Sequence, residues 1–196
     1  MVRRSLRPSK QLLHLFLERD MKHSRGKETG VDVGCGEMGN YSLFQTQRYI
    51  GIDLDKNRLE TGQKKYPETE TICARMEEIG NVKGDFILCV QVFNNVHFDT
   101  KKTIEMVDLL CSMLNKGGSL IFNIGSDSKN CEQAIDTLLS SKIKSIKKIR
   151  YGSSFATQQR PSIVSLIFAK AMFYFPVLRD MGGYHKIYYY CSNKAD

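Results

Sequence analysis

The residues best able to do chemistry cluster early in the chain: Asp32, the run Gly34-Cys35-Gly36-Glu37-Met38-Gly39, and a second acid, Asp53. Glycines carry no Cβ, so a backbone built from them can turn tightly and approach a ligand closely. An acid at the tip of the following strand can accept hydrogen bonds from both hydroxyls of a ribose. The run satisfies GxGxxG, so a dinucleotide loop is one reading and a tight turn with a core aspartate is another. Two details lean away from a dinucleotide loop. Asp32 stands two residues before the first glycine, and Gly-Cys-Gly replaces the small apolar residues of that pattern.

Few side chains offer proton transfer. His97 is the candidate general base, because its ordinary pKa lies near neutrality; the competing reading is a surface or capping residue ahead of a helix that starts at Asp99. Asn94 and Asn95 either hydrogen-bond a ligand or shape the turn. Gln91 lies near the end of the same strand, where it can touch a ligand. His185 reaches the same mouth only if the last hairpin folds back, and His14, His23 and Arg7 only if the N-terminal extension closes as a lid, where Arg7 either meets a ligand carboxylate or stays solvated. Cys35, Cys73, Cys89, Cys111, Cys131 and Cys191 form no CxxC pair and no metal-ligand spacing, so neither a metal site nor a disulfide framework is expected. Several fall in apolar runs, as Cys89 does in Ile87-Leu88-Cys89-Val90, where a thiol behaves as a small hydrophobe.

The elements that must position these residues follow from periodicity. Leu12, Leu13, Phe16 and Leu17 share one face of an amphipathic helix over residues 9–23. Short strands are expected at 30–33 and 48–53, a polar helix at 56–66 and a third strand at 69–74. The sequence DFILCVQV at 85–92 is almost continuously apolar, as a strand covered on both faces of a parallel sheet must be. A helix at 100–115 carries Ile104, Val107, Cys111 and Leu114 as its stripe, with Gly117-Gly118 as its stop. A further buried strand at 119–124 and a helix at 128–142 complete the alternation, which argues for βαβ units. The last third breaks the rhythm. Strands are expected at 147–152 and 186–192, around an apolar stretch at 161–178 that suits a buried or interfacial helix better than a membrane span.

At VDVGCGEMG and YIGIDLD the sequence resembles the class I S-adenosylmethionine-dependent methyltransferases, whose first motif reads like DVGCG. It looks like a small, type 11-like subgroup associated with bacterial glycan and lipopolysaccharide modification; the likeness covers about residues 30–126. The resemblance implies a single α/β domain with a doubly wound, seven-stranded, mostly parallel sheet carrying one antiparallel strand, which residues 186–192 would supply. It also implies S-adenosyl-L-methionine as cofactor. The backbone at Gly34, Cys35 and Gly36 would cradle the methionine part above Asp32, with Asp53 on the ribose and Leu54 on the adenine. Met76 and Glu77 would meet the adenine amine; by their place near the end of the fourth strand, Gln91 would touch the methionine part and Asn94 the cofactor or the acceptor. Two positions depart from the family pattern: Arg75 stands where an acid is common, and Asn95 where many relatives carry a histidine.

Composition bounds the rest. A chain of 196 residues suits one domain, here residues 28–196, preceded by a helical extension or lid over 1–27. The formal charge of +8 concentrates at Arg3, Arg4, Arg7 and Lys10, and at Lys142, Lys144, Lys147, Lys148 and Arg150. Such clusters either form solvated faces or attract nucleic acid, anionic lipid or an acidic substrate. The first apolar run makes a poor signal peptide, so a cytoplasmic enzyme is expected, with peripheral membrane contact through 161–178 or a homodimer seam there as further readings. The reaction expected is O-methylation of a sugar or glycan precursor. Methylation of RNA or another nucleic acid, and a degenerate cofactor-binding regulatory subunit, are the alternatives.

Overall fold

The computed structural model describes residues 7–93, 98–125, 129–158, 162–180, 183 and 186–193, excepting the side chains of 129–131, 154, 155, 162 and 180. Within them, seven strands form one sheet in the order β3-β2-β1-β4-β5-β7-β6. The strands are β1 (Thr29–Val33), β2 (Arg48–Asp53), β3 (Glu70–Cys73), β4 (Gly84–Phe93), β5 (Leu114–Gly125), β6 (Ser145–Tyr151) and β7 (Lys186–Ser192). The first five are parallel to one another, and β7 runs antiparallel between β5 and β6. The parallel βαβ core is what the sequence pattern predicts, and the seven-stranded Rossmann-like sheet with residues 186–192 as the reversed strand is what the resemblance implies.

The central strand explains the layers. On β4, Phe86, Leu88 and Val90 enter one buried cluster, while Ile87 and Cys89 enter another on the opposite face. Alternate side chains of a strand point to opposite faces, so a nearly continuous apolar run is what two-sided cover requires. The helices α1 (Pro8–Asp20) and α6 (Ser162–Tyr174) cover the first face. The second is covered by α3 (Thr100–Ser112) and α4 (Lys129–Lys142). The remaining helices are α2 (Lys56–Lys65), which contacts β2 and β3, and the short α5 (Ser154–Thr157) and α7 (Val177–Asp180).

α1 begins with Pro8, a first-turn position where the missing N–H costs nothing. Its Leu12, Leu13, Phe16 and Leu17 are all buried. Asp20, at its end, is 2% exposed and accepts hydrogen bonds from Arg19 Nε at 2.7 Å and from the Tyr188 hydroxyl at 2.9 Å. Burial pulls the Asp20 carboxyl upward, but the Arg19 and Tyr188 contacts outweigh it and hold it below the usual carboxylate range.

Two expectations are corrected. α3 stops at Ser112, ahead of Gly117-Gly118, because Gly84 N–H bonds the Met113 carbonyl at 3.0 Å and β5 already begins at Leu114. The glycines lie inside the strand instead. The 161–178 stretch is two helices rather than one, parted at Phe175 and Pro176, since proline has no N–H to continue the ladder. Its apolar surface is also divided. Ala169 and Met172 are buried on the α1 side, whereas Ile163, Ile167, Tyr174, Phe175 and Val177 are exposed. No helix among the described residues is long and apolar enough to cross a membrane.

Candidate functional site

The site lies at the carboxyl ends of the parallel strands. β1 is buried along its whole length and ends at Val33. The next two backbone N–H groups, of Gly34 and Cys35, both bond the Ile52 carbonyl, at 2.7 and 3.0 Å. The loop is thus tied to the end of β2. Gly34 has φ +73° and Gly36 φ +54°, a region in which a side chain is strained. A Cβ on Gly34 would lie 2.3 Å from Val92 Cγ2, and one on Gly36 would lie 2.3 Å from the Arg58 guanidinium. Between β1 and β2, the described chain forms only a single-turn helix at Tyr41–Leu43.

Asp53 connects the loop to the next element. Its Oδ2 accepts the Gly36 N–H at 2.7 Å and its Oδ1 accepts the Asp55 N–H at 2.9 Å. Asp55 in turn caps α2, accepting from the N–H groups of Asn57 and Arg58. Asp32 sits deeper and is 1% exposed; the Tyr49 hydroxyl donates to its Oδ2 at 3.0 Å. Burial raises the Asp32 carboxyl to about 7, against the lowering by hydrogen bonds from Tyr49 and Asn40, and the Asp53 charge adds to the rise.

These elements surround a cavity of about 590 Å³, in the usual range for a small-molecule site. Of the residues predicted from the sequence, Gly34, Asp53, Leu54, Met76, Glu77 and Gln91 line it. Gly36 reaches it through the N–H on Asp53. Asp32 lies beneath the loop. The Cys35 thiol packs with Met38, Tyr49 and Leu59, so the backbone is what Cys35 can offer a ligand. His97, Asn94, Asn95 and His185 lie outside the described residues.

Arg58, Lys102 and Phe98 also line the cavity, and sequence reasoning missed them. Lys102 follows the α3 cap: the Asp99 side chain accepts its N–H at 2.7 Å, which fixes the first turn. Its ammonium reaches Glu77 at 2.8 Å and lies 5.3 Å from the Phe98 ring centre. The hydrogen bond from Lys102 is the main cause holding the Glu77 carboxyl below its usual range. A helix start at Asp99 was legible; which strand end its first turn would face was not.

Gln91 is strained, with φ +61° in a non-glycine residue near the end of β4. Its N–H bonds Oδ1 of the buried Asn123 on β5 at 2.7 Å, where the β4–β5 register shifts. Gln91 thereby borders two cavities. The second, of about 180 Å³, is lined by Lys10, Gln11, His14 and Asn40 among others. His14 pairs with Glu18 one turn along, at 3.1 Å.

The strand order, the reversed β7 and the glycine turn against Asp53 define the Rossmann-like methyltransferase fold. Residues 31–122, from β1 into β5, match the methyltransferase-domain family, which supports methyl transfer as the activity. No curated protein sequence matches this chain. Among solved structures, the N-methyltransferase NodS from Bradyrhizobium japonicum WM9, in complex with S-adenosyl-L-homocysteine, is similar at TM-score 0.67 and 14% identity, over 96% of this chain and 89% of that one. An S-adenosylmethionine-dependent methyltransferase from Clostridium acetobutylicum ATCC 824 is similar at TM-score 0.63 and 13% identity, covering 95% and 92%. Magnesium protoporphyrin IX methyltransferase from Synechocystis PCC 6803, with bound S-adenosylmethionine, gives TM-score 0.59 and 19% identity, covering 93% and 78%. At these identities the likeness is one of fold.

Proposed function

We propose that this chain is an S-adenosylmethionine-dependent methyltransferase whose acceptor is a hydroxyl of a sugar or glycan precursor. One observation carries the first part: a glycine turn without room for Cβ atoms is bonded to the Asp53 carboxylate at the mouth of an open cavity. The residues fit the cofactor. Gly34 lines the cavity and Gly36 is bonded to Asp53 at its mouth, so the turn's backbone would face the methionine part, and Asp53 supplies acceptors for ribose hydroxyls. Leu54, 67% exposed at the rim, offers an apolar surface to the adenine, with Met76 and Glu77 beside it. Asp32 supplies a buried negative charge beneath a cationic ligand. When bound, S-adenosylmethionine supplies a methyl group already activated on a sulfonium centre.

Because the methyl group is activated, the chain's task is to align an acceptor and exclude water, which can account for several kcal/mol of barrier lowering. The second cavity supports a polyhydroxyl acceptor. Gln11, Asn40 and Gln91 carry amides that both donate and accept, and Gln91 borders the cofactor cavity as well. A base for a hydroxyl proton would be His97, by its place just after β4. Nucleic acid is disfavoured by the state of the basic β6 region. Lys148 and Arg150 pair with Glu132, Lys147 pairs with Asp20, and Lys142 pairs with Asp108.

Calorimetry with S-adenosylhomocysteine tests the cofactor assignment. Asp53→Ala should weaken binding at least about tenfold, since a hydrogen bond to a charged group contributes about 1.5–3 kcal/mol. Equal affinity in the variant, or no binding by the wild type, would defeat the assignment. Labelled methyl transfer to RNA but to no sugar would replace the acceptor.

A further inference from the structure

Lys186 opens β7, pairing in register with Gly125 at the end of β5 and with Tyr151 at the end of β6. Because β7 is reversed, its first residue stands at the same edge of the sheet as the carboxyl ends of β4 and β5. The Lys186 stem packs against Gly152, where a Cβ would lie 3.4 Å from its Cγ. The side chain is partly buried, which lowers the ammonium's pKa, and the nearby charges of Lys10 and Arg7 lower it further. No carboxylate among the described residues pairs with any of these three cations. Like charges gathered around a partly desolvated ammonium are unfavourable alone and favourable around an anion.

Position decides which anion. The cofactor cavity is lined from β1, β2 and β4, with residues just past β3. β7 lies two strands beyond β4, about 10 Å at ordinary strand spacing, on the side away from that cavity. The second cavity is lined by Lys10, a member of the cation cluster, and by Gln91, which also lines the cofactor cavity. We propose that Lys186, Lys10 and Arg7 seat an oxyanion, a phosphate or a carboxylate, carried by the methyl acceptor. The proposal rests on the methyltransferase reading and narrows its acceptor to an anionic one, such as a sugar bearing a phosphate or an acid group. The cluster orients the acceptor by its charge while Gln91 and Asn40 hold neutral groups nearer the transfer point.

The probe is pyrophosphate, titrated at fixed ionic strength into protein saturated with S-adenosylhomocysteine. The wild type is expected to bind it, with affinity falling as salt rises. Lys186→Met keeps the apolar stem and should weaken pyrophosphate binding at least tenfold while leaving S-adenosylhomocysteine affinity unchanged. Lys10→Gln, at an exposed position whose side chain has no salt-bridge partner among the described residues, should weaken it several-fold and covers the case in which the β7 variant fails to fold. Unchanged pyrophosphate binding in both variants overturns the proposal. So does a matching loss of S-adenosylhomocysteine affinity, which would assign the cluster to the cofactor's own carboxylate. A wild type that binds pyrophosphate but not S-adenosylhomocysteine sinks the methyltransferase reading and the acceptor assignment with it.

Discussion

Replacing Asp32 with asparagine isolates the charge buried beneath the glycine turn. The native carboxyl titrates at about 7, against 3.8 for its ordinary value, with burial as the leading cause. The folded, ligand-free protein therefore holds this proton more tightly than the unfolded chain does. That preference stabilises the fold below the ordinary value and is lost as pH rises through about 7. A shift of about three pH units is worth about 4 kcal/mol, a ceiling that any relaxation of the site reduces. Asparagine stays neutral, and its carbonyl can still accept from the Tyr49 hydroxyl. Urea unfolding of both proteins without ligand should show the asparagine variant gaining on the wild type by about 2.5 kcal/mol between about pH 5 and pH 8. Profiles that stay parallel across that window would refute the claim that burial outweighs the Tyr49 and Asn40 hydrogen bonds at Asp32. The cofactor should reverse the preference: if its cationic end lies above Asp32, the variant binds S-adenosylmethionine more weakly than the wild type at about pH 8.

Gly34→Ala places a methyl against Val92 in a positive-φ backbone; strain of about 1–2 kcal/mol plus overpacking should lower the urea midpoint and weaken S-adenosylhomocysteine binding at least about tenfold. A variant with native stability and affinity would show that the turn tolerates a side chain. Tyr188→Phe removes a buried donor from Asp20 and should cost about 1–2 kcal/mol at neutral pH. Asp20 is held below its ordinary value, so its contribution is present at neutral pH and lost in acid. Losing the Tyr188 bond should therefore move the acid-unfolding midpoint, followed by circular dichroism, to higher pH. An unmoved midpoint would mean that Arg19 and Lys147 set the Asp20 charge without Tyr188.

Much of this fold was legible in local pattern. The apolar run of β4 announced a strand covered on both sides, and Asp99 and Asp55 stand as helix caps where short acids belong. The pairing of the glycine turn with Asp53 was also readable, because consecutive parallel strands put their carboxyl ends side by side. These signals share one property: each depends on residues close in sequence or on a repeating unit.

What only tertiary structure decided involves distant segments. The stretch at 161–178 is apolar on every side, so its pattern cannot say which face is covered; docking of α1 buries Ala169 and Met172 and leaves Ile163 and Ile167 in solvent. Lys102 and Arg58 enter the cofactor cavity because two helix starts converge on one sheet edge, a relation that spacing does not encode. Lys186 comes within electrostatic range of Lys10 and Arg7 because β7 is inserted antiparallel between β5 and β6. A strand's composition specifies that it will pair, through propensity and alternation. Its partner and direction are set by which edges remain open once the other strands have packed, and that is a property of the whole chain.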